Sequence, residues 1–571
     1  MNDSTRKVLD RSFTALSYCA LGAMGAAVVL FLLPIAINGA GAVFFNATVE
    51  HWKFLEENLG RELQPEVSER IRLADEARAP LVQMIDEFEN PPFAAELEEG
   101  LRKGFDAAAK GVSGARAEEL SKIISLENPE RARRLKEFSG RLWAPFIDAV
   151  QKARAKSGED GTSITLEKIL HALEEELTGR VKAEIANFEK RAKLKFSVRQ
   201  QVRRALCAPV SKELLSEAEQ LHAQNAAYQE FKSGVEELLG PLSAERKEEL
   251  KLLRQKYGQP RLDLAENVMD NSVRTISVRE RDPAGTEVLK RVSSAEFFKG
   301  TKVGEMLRYI EANFAAMLRP KFTAYWGFFF DDPYDSNIFG GIWPMILGTF
   351  YLTAGSMIIA APLGICAAIY FSEYAKPCRL VSALQMCVGT LAGVPSIVFG
   401  LFGLAFLINT LKVSDSKSVL AGAITLALLV LPTIIRSCEE ALKAVPRSYR
   451  EAAFGLGAGK WKAICSVILP AALPSMLTGI IISMGRAAGE TAPIIFTAAT
   501  SAGAALALGD VFTQPTPALP WNIYNLCSEH EMAERVAHVQ YGMVLTLIAI
   551  VLALNFAAIL IRAKLQRKMK A

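Results

Sequence analysis

Nothing in the 571 residues has the form of a nucleotide-hydrolysing site. No glycine-rich stretch ends in Gly-Lys-Ser or Gly-Lys-Thr, so any ATP-driven step must belong to another chain. Histidine is scarce, five in all, and His51, His171 and His222 stand at no metal-ligand spacing; they read as solvated or packing side chains. No catalytic constellation emerges, no cofactor or metal is implied, and nothing points to nucleic acid. Of eight cysteines only Cys207 and Cys527 fall on the expected oxidising side, where a single bridge between them stays open. The other six stand in apolar spans or inner loops, as small apolar residues.

What the chain has is segregation. Half of it is hydrophobic and 22% is charged, and the two properties occupy different stretches. Residues 46–335 hold 46 basic and 50 acidic side chains, a soluble-like and slightly acidic region; the rest holds 20 basic against 12 acidic. Apolar runs long enough to cross a bilayer, at roughly 20 residues each, are expected at 13–38, 341–371, 380–409, 418–435, 470–497 and 540–561. The first is too long for a signal peptide. Arg6, Lys7 and Arg11, then Lys376 and Arg379, then Arg436 to Lys462, then Arg562 to Lys570 all fall on one side of this scheme. By the excess of basic residues in inner loops, both termini are cytoplasmic and 46–335, 411–417 and 498–539 face outward.

The outward stretch is mostly helical by pattern. Leu214, Ala218, Leu221, Tyr228, Phe231, Val235 and Leu238 keep heptad spacing, and Leu250, Leu253 and Tyr257 continue it after the Gly240-Pro241 break, with Ser243 as N-cap. Alternation around Ile276 and Val278, the turn signal Asp282-Pro283-Ala284-Gly285 and the run to Val292 predict a small hairpin. Glu174 to Glu176 read as a solvated face. Tyr325, Trp326 and Phe328 to Phe330 read as an interfacial aromatic belt.

Between the fourth and fifth spans stand Glu451, Ala452 and Ala453, then Gly457, then Val467, Leu469 and Pro470. Such spacing suits a helix–turn–helix: Pro446 and Ser448 start a short helix, Gly457 reverses the chain where a Cβ would clash, and Pro470 opens the next span. Lys460 and Lys462 would lie near the membrane surface, with Trp461 anchoring at the interface. This stretch resembles the EAA loop of ABC importer permeases. Gly340-Gly341-Ile342, Ala392 to Val398, Gly489-Glu490-Thr491-Ala492-Pro493 and Asn522-Ile523-Tyr524 resemble the PstA type of phosphate permease. The likeness covers about 336–571 and the first span. The insertion of nearly three hundred residues departs from the family's common form, and its role is not inherited.

The resemblance implies an all-α membrane protein of the bacterial inner membrane with six transmembrane helices. Its parts are an N-terminal segment and first span (1–45), a large, mostly helical extracytoplasmic insertion (46–335), and a binding-protein-dependent (MetI-like) permease core (336–571) whose coupling loop is 436–470. It also implies a transport subunit rather than an enzyme, for inorganic phosphate. The partners would be an ABC ATPase, in two copies, a second permease of similar fold and an extracytoplasmic phosphate-binding protein.

From the residues alone, Arg486 and Glu490 are the two charges inside the expected spans. Their i, i+4 spacing puts them on one helix face, as a structural ion pair or as a pair that phosphate opens. Arg436, at the inner end of the fourth span, either snorkels or joins the path; Ser396 and Thr491 line it or pack between helices. Glu451, Ala452, Ala453 and Gly457 would couple to the ATPase. A permease for another oxyanion, molybdate or sulfate, and a membrane sensor using the outward domain remain alongside. The sensor reading calls for a cytoplasmic domain after the second span, where only about eight residues stand. With both flanking spans placing 46–335 outside, protease added to intact spheroplasts should cut within it. Protection there, with cleavage only in inverted vesicles, would overturn the topology.

Overall fold

The computed structural model describes residues 3–91, 94–113, 116–159, 163–192, 196–242, 256–281, 287–501, 503–529, 533 and 535–570. The chain forms two compact units, Met1–Phe45 with Phe322–Ala571, and Asn46–Lys321. Residues 322–335, assigned by sequence to the insertion, thus belong with the first unit. The Tyr325 amide donates to the Val43 carbonyl, the Ile342 amide to that of Phe328, and the Phe328 ring lies where a Cβ on Gly542 would stand.

Among the described residues of the first unit five helices are long and apolar enough to cross a membrane: Leu16–Ala40, Trp343–Tyr374, Val419–Lys443, Lys460–Gly489 and Ala537–Lys564. A sixth span exists only as a bent pair, Arg379–Leu391 and Ser396–Thr410, at 104° to one another. The straight span expected at 380–409 is therefore broken. Gly393 and Pro395 sit in the break, and a proline both lacks the amide donor and disfavours helical geometry in the residue before it. Helices approach closely where side chains are small. A Cβ on Gly364 would press on Ile434, and one on Gly479 on Ser437, which suits packing in lipid, where contact rather than water exclusion drives association. Ala360, Val430, Ile434, Cys438, Ile468 and Met476 form the buried centre of the bundle.

Two further expectations are corrected. Pro470 does not open the fifth span, because that helix is continuous from Lys460; the π-helical turn Ile464–Ile468 precedes the proline, with the Leu469 amide reaching back to the Ile464 carbonyl. A π-turn widens the backbone where the proline ring would meet a carbonyl. Nor does the span continue to 497. It stops at Gly489, Glu490 is extended (ψ 124°), and a separate short helix runs Ala492–Thr497.

The second unit is mainly helical, with long helices at Pro65–Glu89, Asn128–Glu159, Ser163–Ala192 and Phe196–Leu239. Leu221, Tyr228, Phe231, Val235 and Leu238 are buried as their heptad spacing demands. They divide between two cores: Leu221 joins one around Phe105, Trp143 and Phe146, the others one around Leu81, Val273 and Ile310. The hairpin forms, Thr275–Arg281 against Glu287–Ser293, with Ile276 opposite Val292. Its turn at 282–285, Ser243, Leu250 and Leu253 lie outside the described residues. Cys527 is exposed, and the side chain of Cys207, the other half of the bridge left open by sequence, lies outside the described residues.

His51 is a packing residue. Burial first, then the charges of Arg261 and Arg61, lower its pKa to about 3. Unfolded, it would take its proton near pH 6.5; the unfolded state therefore binds more protons below that pH and stability falls as pH drops through the window, by about 1.4 kcal/mol per unit. His51→Asn should flatten the pH dependence of the urea midpoint between pH 6.5 and 5. An unchanged slope would show that the imidazole is not held neutral.

Candidate functional site

The break in the fifth span brings charge and irregular backbone together. Arg486 occupies the last helical turn and Glu490 the residue that ends it; Arg486 Nε donates to Glu490 Oε1 at 3.1 Å. The ion pair expected from i, i+4 spacing is formed, across a helix end rather than along one face. Arg486 is 44% exposed and Glu490 19%. Among the described residues Nε alone is engaged, so the outer edge of the guanidinium is open. Glu490 also borders a small cavity of about 10 Å³ beside Thr349, Thr353 and Ile494, about the volume one water needs.

The third span's break packs onto this one. Gly400, in the second limb, stands so close to the 492–497 helix that a Cβ would lie 3.0 Å from the Ala492 carbonyl oxygen and the Pro493 Cα. Ser396, half-buried, is the first residue of that limb, and Thr491, also half-buried, precedes the short helix. Loop groups complete the polar bonding: the Ser418 amide donates to the Thr497 carbonyl and Lys417 Nζ to that of Ile495, at 2.9 and 2.7 Å.

Arg436 stands elsewhere. Its helix runs on to Lys443, about two turns further, so it is not at the span's end. Its Nη2 donates to the Gln385 carbonyl at 2.9 Å, and Nη1 lies 3.5 Å from Glu439 Oε2. Glu439, only 2% exposed, also takes Lys443 Nζ at 2.6 Å. Arg436 thus fastens the first limb of the bent span to the fourth span and makes no contact with Arg486. Glu439 is a charge that reading the fourth span as ending at 435 missed, although its i+3 and i−4 distances from Arg436 and Lys443 were the signal.

Between the fourth and fifth spans a nine-residue helix, Arg447–Gly455, begins after Pro446 and ends at Leu456. Glu451 and Ala452 are exposed and Ala453 is buried, so the small-residue face is split. Gly457 has φ +79° with nothing within 4 Å of a would-be Cβ. The expected clash is absent; what demands glycine is the left-handed backbone itself. Tyr449, Phe454, Trp461 and above all Leu456, at 90% exposed, leave apolar surface uncovered around the turn. Lys460 Nζ lies over the Tyr374 ring at 4.6 Å.

Long apolar helices, two of them interrupted beside an arginine–glutamate pair, together with a protruding helical turn, define a polytopic membrane transport subunit. The family described as binding-protein-dependent transport system inner membrane component matches residues 360–571. Over 225 residues the chain is 38% identical to the phosphate transport system permease protein PstA 1 of Mycobacterium tuberculosis (strain CDC 1551 / Oshkosh), covering 39% of this chain and 71% of that one. It is 37% identical to PstA of Yersinia pestis, over 39% and 73%. With the probable ABC transporter permease protein YqgH of Bacillus subtilis it shares 40% identity, over 28% and 52%. The chain belongs to the inner-membrane permease family of binding-protein-dependent ABC importers. The insertion lies outside the matched segment.

Proposed function

We propose that this permease carries inorganic phosphate inward along a path that passes the paired helix breaks, and that the 445–469 segment receives a separate ABC ATPase. The open outer edge of the Arg486 guanidinium carries the reading. A planar fork binds two oxygens of a phosphate at once, and with only Nε on Glu490 the anion need not expel the carboxylate. Arginine can hold both, and Glu490 offsets its charge when the path is empty. The limb that begins at Ser396 packs on the short helix that follows this break, and a helix start is the feature by which interrupted helices receive anions in transporters. Ser396 and Thr491 supply hydroxyls to the path, and Arg436 holds the bent span in place. The phosphate-transport names of relatives at 37–38% identity point the same way.

The orientation follows from the basic residues. With the bent pair counted as one crossing, all four basic clusters lie in the cytoplasm; treated as a re-entrant loop, it would put Arg436 to Lys462 outside, against the usual bias. Both termini and the Arg447–Gly455 helix are then cytoplasmic and Asn46–Lys321 is outside. Uptake by alternating access uses two ATPase copies, a second permease and an outward phosphate-binding protein, with ATP binding favouring one of two permease arrangements. The outward unit contacts the binding protein or the second permease.

Arg486→Lys should lower phosphate uptake about tenfold despite the retained charge, since one ammonium cannot keep Glu490 and grip two oxygens, and a lost charge-assisted bond is worth that much. Excess molybdate or sulfate should leave wild-type uptake unchanged; strong competition would assign another oxyanion. Normal transport by an Arg486→Gln, Glu490→Gln double variant would remove the pair from the path.

For the turn, Gly457→Val should insert normally yet lose substrate-stimulated ATP hydrolysis, because a β-branched residue at φ +79° is strained. Glu451→Lys should weaken ATPase association by reversing charge on the exposed face. Full uptake with full stimulation in Gly457→Val would end the coupling assignment.

A further inference from the structure

Arg450 points away from the exposed face of its helix and is fully engaged. Its Nε and Nη2 meet Glu373 Oε1 at 3.2 and 2.8 Å, its Nη1 donates to the Val445 carbonyl at 2.7 Å, and its Nη2 also to that of Leu442 at 2.8 Å. Those partners belong to three elements. Glu373 sits in the π-helical turn Tyr370–Tyr374 that ends the second span; Leu442 lies in the last turn of the fourth; Val445 leads into the Arg447–Gly455 helix itself. The Arg450 and Glu373 side chains are only 20% and 10% exposed, so water competes little for the bond. One residue further, the Tyr374 ring underlies Lys460, the first residue of the fifth-span helix. The end of the second span is thus tied to both ends of the protruding turn, on one side by an ion pair in which two arginine nitrogens share one carboxylate oxygen and on the other by a cation–π contact.

We infer that Arg450 and Glu373 form the joint through which displacement of the Arg447–Gly455 helix reaches the second span, a positioning role that rests on this helix being the ATPase contact proposed above. A lever needs a grip on the rod it moves. The exposed residues of the turn, Glu451 and Leu456 among them, face the partner, whereas Arg450 is the side chain of this helix bonded to a membrane-crossing helix distant in sequence. The second span in turn packs along the fourth, where Gly364 meets Ile434, and its outer part borders the Glu490 cavity through Thr349 and Thr353. A push on the turn therefore has a continuous packed route to the break.

The test uses the whole transporter in proteoliposomes, with ATPase and binding protein, reading inorganic phosphate moved per ATP hydrolysed and the amount of ATPase that co-purifies. Glu373→Gln keeps the shape and one acceptor oxygen. It should retain its ATPase while phosphate per ATP falls about fivefold or more, the usual size of a coupling between sites. Arg450→Gln should do the same, the double variant should be no worse than the poorer single, as for two halves of one contact, and Arg450→Lys should fall between. A wild-type ratio in Glu373→Gln or Arg450→Lys would overturn the joint, as would additive losses. Loss of ATPase from Glu373→Gln would overturn it as well, by showing that the pair only builds the docking surface. Glu451→Lys separates the two readings: if that variant still holds its ATPase, the docking assignment itself is wrong, whereas its release together with a wild-type ratio in Glu373→Gln refutes the joint alone.

Discussion

In hydrocarbon there is no water to satisfy a backbone amide or carbonyl, so a helix can be interrupted inside a membrane bundle only where neighbouring protein supplies the missing partners. The permease unit interrupts two. The 492–497 helix takes the Ser418 amide and the Lys417 ammonium on its carbonyls, and the limb from Ser396 lies against it so closely that a Cβ at position 400 would stand 3.0 Å from its backbone. Each break is tolerable because the other, and the loop before the fourth span, stand beside it. The same arrangement places a guanidinium with free donors beside Glu490, and the ion pair offsets what a lone charge would cost in hydrocarbon.

Hydropathy made the spans legible and the breaks invisible. A straight helix and a helix bent by 104° have the same composition, and residues 380–409 carry no charge, with Ser382, Gln385, Thr390, Ser396 and Asn409 among otherwise apolar residues. The bend was written in Gly393 and Pro395, as the stop after Gly489 was written in Pro493, but each of those residues is also common inside membrane helices. Pro470 shows the converse. A helix that starts at Lys460 absorbs it by widening into a π-turn, a choice that depends on packing around Ile464 and Ile468 and leaves no trace in local sequence.

Charge at the membrane edge was misjudged for a related reason. Ending the fourth span where its apolar run ends put Arg436 at a boundary, either to snorkel or to join the path. The helix continues to Lys443; Glu439 is buried on that extension, and Arg436, 45% exposed, donates to the Gln385 carbonyl. By contrast the turn from Pro446 to Gly459 was readable almost residue by residue, because its shape depends on local chemistry: a proline start, a short polar helix and a glycine at positive φ. Two details changed: the reason for Gly457 went from crowding to backbone conformation, and the small-residue face is split by the burial of Ala453. In the helical unit the heptad positions from Tyr228 to Leu238 were legible as core, though not that Leu221 would serve a different core from theirs.

The fifth-span helix joins the two places where function is proposed. It leaves the protruding turn at Lys460 and ends beside the ion pair at Gly489, about 45 Å at 1.5 Å per residue. A uniform α-helix of that length would carry a push along its axis with little loss. This one holds a π-turn at Ile464–Ile468, near the end that meets the turn, and a further proline at 474, midway along it, the two places where bending is easiest. Motion of the proposed coupling turn would therefore be taken up first at the end nearest it, while the half beyond Pro474 packs against the fourth span through Gly479 and Ser437. The second span is tied to the turn directly through Arg450 and lies against the fourth. A signal arriving at the turn is thus better carried by the second and fourth spans together than by the fifth, although the fifth is the helix that bears the arginine.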